Sequence, residues 1–208
     1  MRLSKIVVVV SSIASLTMFA HAQESRNAWN FPDFTATQVY QSPKGLMPMK
    51  VYRSGSSVRV DMTHTRARLY VPLSNKEYDL TVYPDGTHQC VVMKPDQSGM
   101  LPSPLALLFG TKVTRTPAGT EVIEGHNCKI ENVVVTRPSG QTIESKVWEA
   151  EDLKGIPVKI ESQLPDLNLI ALYRHIVLGA PDKELLTPPG KCILYEKMWQ
   201  VAKPKVNK

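Results

Sequence analysis

Short β-branched and aromatic runs, divided at regular intervals by turn formers, constrain this chain more than any other feature. The stretches DFTATQVYQS (33–42), MKVYRSG (49–55), SVRVDM (57–62) and ARLYVPL (67–73) alternate in character and are separated by SPKG and SGS, the pattern of antiparallel hairpins. The series continues through EYDLTVYPDGTHQCVVM (77–93), where Pro84 presets φ and Gly86 tolerates a positive φ in the turn. TEVIEGHNCKIENVVVT (120–136), QTIESKVWEAEDL (141–153), IPVKIESQL (156–164), LIALYRHIVLG (169–179) and KCILYEKMWQVA (191–202) complete it, with turns at RPSG (137–140) and DLKGIP (152–157). Roughly ten strands at this spacing make a mainly β protein, a curved sheet or barrel, and argue against βαβ units.

SPLALLFG (103–110) breaks the pattern. A serine at the cap position, proline in the first helical place, several leucines and a closing glycine predict a short helix. Leu105, Leu107, Leu108 and Phe109 make it too apolar to face solvent, so they either plug the sheet's interior or cover a hydrophobic cavity as a lid.

The amino terminus predicts export. Arg2 and Lys5 precede the apolar run IVVVVSSIASLTMFA (6–20), and AHA (20–22) is a small-x-small cleavage site, so 1–22 reads as a signal peptide cut before Gln23. The expected product is one domain over 23–202 with a basic tail, KPKVNK, over 203–208. It is expected to be soluble and periplasmic, with no transmembrane span once the signal is removed. Loss of Arg2 and Lys5 lowers the formal net charge from +6 to +4, and without an arginine cluster or interleaved aromatics nucleic acid is not an expected partner.

No HExxH, GxSxG, glycine-rich phosphate loop or CxxC occurs, so the reading is of a protein that is not an enzyme and carries no cofactor. Two His-x-Cys steps, His88 with Cys90 and His126 with Cys128, each project from one strand face. On neighbouring strands they would form a disulfide, or a tetrahedral metal site if the thiols stayed reduced. Export favours oxidation, so a Cys90–Cys128 bridge with Cys192 left reduced is the expected arrangement, and no metal. Three cysteines leave the other pairings open.

Four segments occur in an order that resembles a known family: MKVYRSGSSVRVDM (49–62), GTEVIEGHNCKIENVVVT (119–136), SKVWEAEDLKGIPVKIES (145–162) and GAPDKELLTPPGKC (179–192). The chain is similar to bacterial envelope proteins related to the outer-membrane lipoprotein-sorting carriers, the LolA-like fold, including a secreted domain family of unknown function. The carried features are the step Gly125 to Cys128, Trp148 before the turn at Asp152 and the strand Pro157 to Lys159, and the acidic, proline-rich link with Asp182 and Pro188 to Gly190. The resemblance implies a curved antiparallel sheet wrapped into an incomplete barrel, closed by helix over an apolar interior. It implies a periplasmic, non-catalytic protein that binds a lipid or lipoprotein acyl chain in the half-barrel. The alternative is an envelope protein–protein interaction or structural module whose core is filled by its own side chains.

Overall fold

The computed structural model describes residues 31–42, 45–94, 103–164 and 167–197. The predicted signal segment 1–22, the cleavage point before Gln23 and the tail 203–208 lie outside them. Two antiparallel meanders build a single open sheet. The first runs β1 (Phe34–Ser42), β2 (Gly45–Ser54), β3 (Ser57–Asp61), β4 (Arg66–Val71), β5 (Lys76–Val82) and β6 (His88–Met93). The second runs β7 (Lys112–Ile123), β8 (His126–Thr136), β9 (Thr142–Ala150), β10 (Ile156–Leu164) and β11 (Leu167–Leu178). Pairing of β1 with β11 joins them, and β12 (Ile193–Leu194) adds to β6 in parallel, giving the order β12-β6-β5-β4-β3-β2-β1-β11-β10-β9-β8-β7.

Turn chemistry explains the hairpins. The stretch 120–136 is the hairpin of β7 and β8, because Glu124 and Gly125 both adopt positive φ (51° and 86°), the geometry of a two-residue turn whose twist matches its flanking strands. Of the expected 191–202 strand, Ile193 and Leu194 are strand and residues 195–197 are helical, while 198–202 lie outside the described residues.

Alternation assigns the faces. Phe34, Ala36 and Tyr40 on β1, Val51 on β2, Val58 and Val60 on β3 and Tyr70 on β4 enter one core, here called the inner face. The described part of the connection from β6 to β7, from Ser103 onward, enters that core and carries the only stretch of α-helix with defined bounds among the described residues, α1 (Pro104–Leu107). On β8 and β9 burial switches parity: Val133, Val135, Ile143 and Val147 belong to the inner core, whereas Cys128, Ile130, Trp148 and Ala150 form a second cluster on the outer face. Pairing of β8 with β9 runs without a register shift across this switch. A bulge between Pro157 and Lys159 on β10 then adds Val158 to the second cluster.

The expected Cys90–Cys128 bridge is corrected by this topology. Cys90 lies on β6 and Cys128 on β8, near opposite ends of the strand order. Cys192, just before β12, bridges Cys90 with a Cα separation of 4.6 Å, and Cys128 is the free, buried thiol. The two His-x-Cys steps are therefore not neighbours, and among the described residues no group of three or more His, Cys, Asp or Glu side chains is placed to hold a metal.

Candidate binding site under the crossover helix

Four residues are too few for a helix to stand alone, because nucleation is unfavourable and most helical stability in proteins comes from packing. α1 is held by its surroundings. Leu105 and Leu108 are 0% exposed, Leu107 4% and Phe109 5%, and the helix lies against β3, β10 and β11. All four residues singled out in the sequence thus come together on the inner face, filling the space that a lid would cover.

Both ends of the segment are fixed. Ser103 occupies the N-cap position ahead of Pro104, yet its hydroxyl makes no capping bond. It donates instead to Gln38 Oε1 at 3.3 Å, where the hydroxyl of Tyr173 also donates at 3.0 Å. Burial raises the pKa of Tyr70 and Tyr173, so these phenols stay protonated. At the far end, Gly110 is required by close approach: a Cβ there would lie 2.3 Å from the carbonyl oxygen of Thr136. Phe109 packs against Phe31 with ring centroids 6.4 Å apart, and the Arg53 guanidinium sits 4.4 Å from the Phe31 centroid and 5.7 Å from that of Phe109. Arg53 Nη1 also donates to the carbonyl of Phe31 at 2.6 Å and to Asp33 at 3.1 Å.

The same inner face carries buried charge on β4 and β5. Arg68 pairs with Glu77 and, at 3.1 Å, with Asp79, which also accepts from Arg66 at 2.6 Å. Burial raises the Glu77 carboxyl, against the opposing charge of Arg68, while for Asp79 burial is outweighed by hydrogen bonds from Arg66 and Arg68, which hold it low. Arg137, at the β8–β9 turn, is buried and acts on Glu77 from the other meander, so like-facing charges partly span the open seam.

Elsewhere the side chains are arranged for structure. Trp148 donates to Glu121 at 2.6 Å and lies under the ammonium groups of Lys159 and Lys146. Nδ1 of His126 sits 2.7 Å from Asp152, which ties the start of β8 to the β9–β10 turn. An open trough of about 440 Å³ crosses β8 to β11, with Asn132, Lys146 and Glu161 in one cross-strand row and Glu144, Gln163 and Asn168 in the next.

Sequence reasoning missed Gln38 and Arg68, although a signal existed for each. Gln38 occupies the same parity as Phe34, Ala36 and Tyr40, and Arg68 the same parity as Tyr70, so both are polar residues in core stripes.

The inner-face helix and open twelve-stranded sheet define the class of molecule. No family model and no curated protein matches this chain. Among solved structures it is similar to a crystal structure of MucB, with 18% identity, 78% of this chain and 59% of that chain covered, and a TM-score of 0.36. MucB in complex with MucA(peri) gives 18% identity, coverage of 78% and 56%, and a TM-score of 0.36. A DUF1329 family protein from Desulfovibrio piger ATCC 29098 gives 8% identity, coverage of 75% and 90%, and a TM-score of 0.29. The chain thus spans less than two thirds of the MucB chains it matches. No helix among the described residues is long and apolar enough to cross a membrane.

Proposed function

We propose that this chain is a non-catalytic binding module of the cell envelope, exported by its segment 1–22, which takes a hydrophobic guest on the inner face of the sheet. The observation that carries the reading is that Leu105, Leu107, Leu108 and Phe109 enter the core from a crossover outside the hydrogen-bonded ladder. They can leave without breaking a strand pair. The energetic requirement on a guest follows. Four large apolar side chains at about 2 kcal/mol each contribute on the order of 8 kcal/mol. At about 0.8 kcal/mol per methylene, a chain of about ten CH2 groups offsets their displacement.

A second reading has its own support. The near-complete burial of α1 also suits a filled core, in which case the chain is an envelope interaction or structural module. Titration of a fluorescent dodecanoyl probe into the intact chain separates the two. Saturable binding, strengthened by Leu108→Asp because the aspartate makes α1 easier to displace, in a variant whose far-ultraviolet circular dichroism is unchanged, is the expected result. Failure of the parent protein to bind the probe contradicts the guest reading and leaves the interaction module.

A further inference from the structure

Seven arginines fall among the described residues, and six of them pair with carboxylates. Arg53 meets Asp33, Arg59 meets Asp61, Arg66 and Arg68 share Asp79, Arg68 also meets Glu77, Arg115 meets Glu131 and Glu149, and Arg174 meets Glu124. Arg137 is the exception. It is only 6% exposed, yet its guanidinium makes no hydrogen bond or ion pair among the described residues. Its backbone is fixed, because its N–H donates to the Gln141 carbonyl at 2.8 Å and its own carbonyl accepts from the Gly140 N–H at 2.9 Å. The side chain therefore leaves from a closed turn.

Strand parity places Arg137 on the inner face, two residues beyond Val135. The charge that acts on it is that of Glu77, which is paired across β4 with the inner-face Tyr70. Glu77 is itself half met. Its Oε1 accepts from Arg68, whereas its Oε2 is buried without a hydrogen-bond partner among the described residues. The strand neighbours Val60, Val91 and Met93 are apolar and supply no donor side chain. With both carboxyls ionised, Arg66, Arg68 and Arg137 carry three positive charges against two negative ones on Glu77 and Asp79. The group thus lacks one negative charge at Arg137 and one hydrogen-bond donor at Glu77, and both deficits are costly in a buried place.

We propose that Arg137 and Glu77 frame a site for a small monoanionic acid with a hydrogen-bond donor next to its carboxylate, an α-hydroxy or α-amido carboxylate. The carboxylate takes the two-pronged donor edge of Arg137, and the α O–H or N–H donates to Glu77 Oε2. A phosphodiester has the charge but no donor, and a dianion exceeds the charge that is missing. The free carboxyl end of a peptide offers the same chemistry as a small α-amido acid. The site asks nothing of α1, so it stands or falls apart from the guest reading.

The Nε–Hε signal of Arg137 in a nitrogen–proton correlation spectrum of the intact chain, identified by its absence in Arg137→Gln, reads occupancy directly. N-acetylglycine is expected to shift it saturably. It should bind at least about tenfold more tightly than N-acetylsarcosine, which keeps the charge without the N–H, or N-acetylglycinamide, which keeps the N–H without the charge. Lactate is expected to bind at least about threefold more tightly than propanoate, which lacks only the hydroxyl. Arg137→Lys keeps the charge and loses the fork, and calorimetry should show N-acetylglycine bound about fivefold more weakly. It also identifies the signal should Arg137→Gln fail to fold. Acetyl-tetraalanine with a free carboxyl end separates the two sources: binding at least about fivefold tighter than N-acetylglycine names a peptide terminus, and equal or weaker binding names a free small acid. An Arg137 signal unmoved by N-acetylglycine and by the peptide overturns the inference. So does equal affinity for N-acetylglycine and N-acetylsarcosine, or for lactate and propanoate, because any carboxylate would then serve.

Discussion

Two segments cross this sheet, one on each face, and they are held in opposite ways. The described part of the crossover between β6 and β7, residues 103–111, lies on the inner face, contains no cysteine, and buries Leu105, Leu107 and Leu108 almost completely. The strap from Gly179 to β12 lies on the outer face: Arg59, whose strand neighbours Val58 and Val60 point inward, donates to the carbonyl of Leu185 at 3.3 Å. Its leucines, Leu185 and Leu186, are only half-buried, in a 3-10 turn begun by Asp182, whose side chain accepts from the Glu184 N–H. The Cys90–Cys192 bridge fixes its end. Burial and a few hydrogen bonds secure the first segment, and a covalent clip supplements weak burial in the second. On the proposed function, only the first is exchanged for another apolar body.

The largest effect expected from this contrast is at Leu108. Leu108→Asp places a carboxylate in the inner core and is expected to lower unfolding free energy by at least about 4 kcal/mol, whereas Leu186→Asp on the strap is expected to cost under about 1 kcal/mol. Urea unfolding of the two variants measures the difference, and similar losses would break the comparison.

Next comes the bridge. A Cys90→Ser, Cys192→Ser double variant is expected to lose about 2–4 kcal/mol. Hydrogen exchange should rise along 180–197 and at the outer face of β4, where Leu69 lies on the same side as Arg59, with the amides of 105–109 unchanged. Peptide mapping of the unreduced parent should show Cys128 as the one alkylated thiol, since it is buried but unpaired. Its burial raises its pKa, so modification should require denaturant.

A smaller and pH-dependent effect is expected at Asp79. Its folded-state pKa is depressed, so its stabilisation is complete above the unfolded value of 3.8 and is lost as pH falls through the lower folded value. The urea midpoint should therefore decline with acidification below 3.8, and Asp79→Asn should flatten that part of the profile. The smallest effect is at Arg59. Arg59→Ala removes one hydrogen bond to the strap and should cost about 1 kcal/mol or less, with faster exchange confined to 183–187.

Strand alternation and turn residues made most of the sheet legible in advance, because period-2 burial is written locally in runs such as the one that places Val133 and Val135 inward. The helix at α1 was legible for the same reason, through Ser103, Pro104 and the leucines. The disulfide was not. Similar His-x-Cys steps suggested neighbouring strands, but strand order depends on the long-range pairing of β11 with β1, which places β6 and β8 far apart. Nor does local pattern show the parity switch at Ile130 and Trp148, since it arises where the sheet turns its other face inward to a second cluster. Among the candidate-site residues, the four apolar ones come together in the core, while Gln38 goes unnoticed in the sequence because a lone amide in a strand ordinarily faces water.

Hydrogen exchange of the amides of Leu107 and Leu108 tests the central claim most directly. In the free chain these amides donate to Ser103 and Leu105 carbonyls at 3.1 and 3.3 Å inside the core. Saturation with methyl dodecanoate is predicted to speed their exchange at least about tenfold while leaving the β1–β11 pairing as slow or slower. Unchanged or slowed exchange at both amides under saturating ligand would contradict the account, because the guest would then be bound without displacing α1.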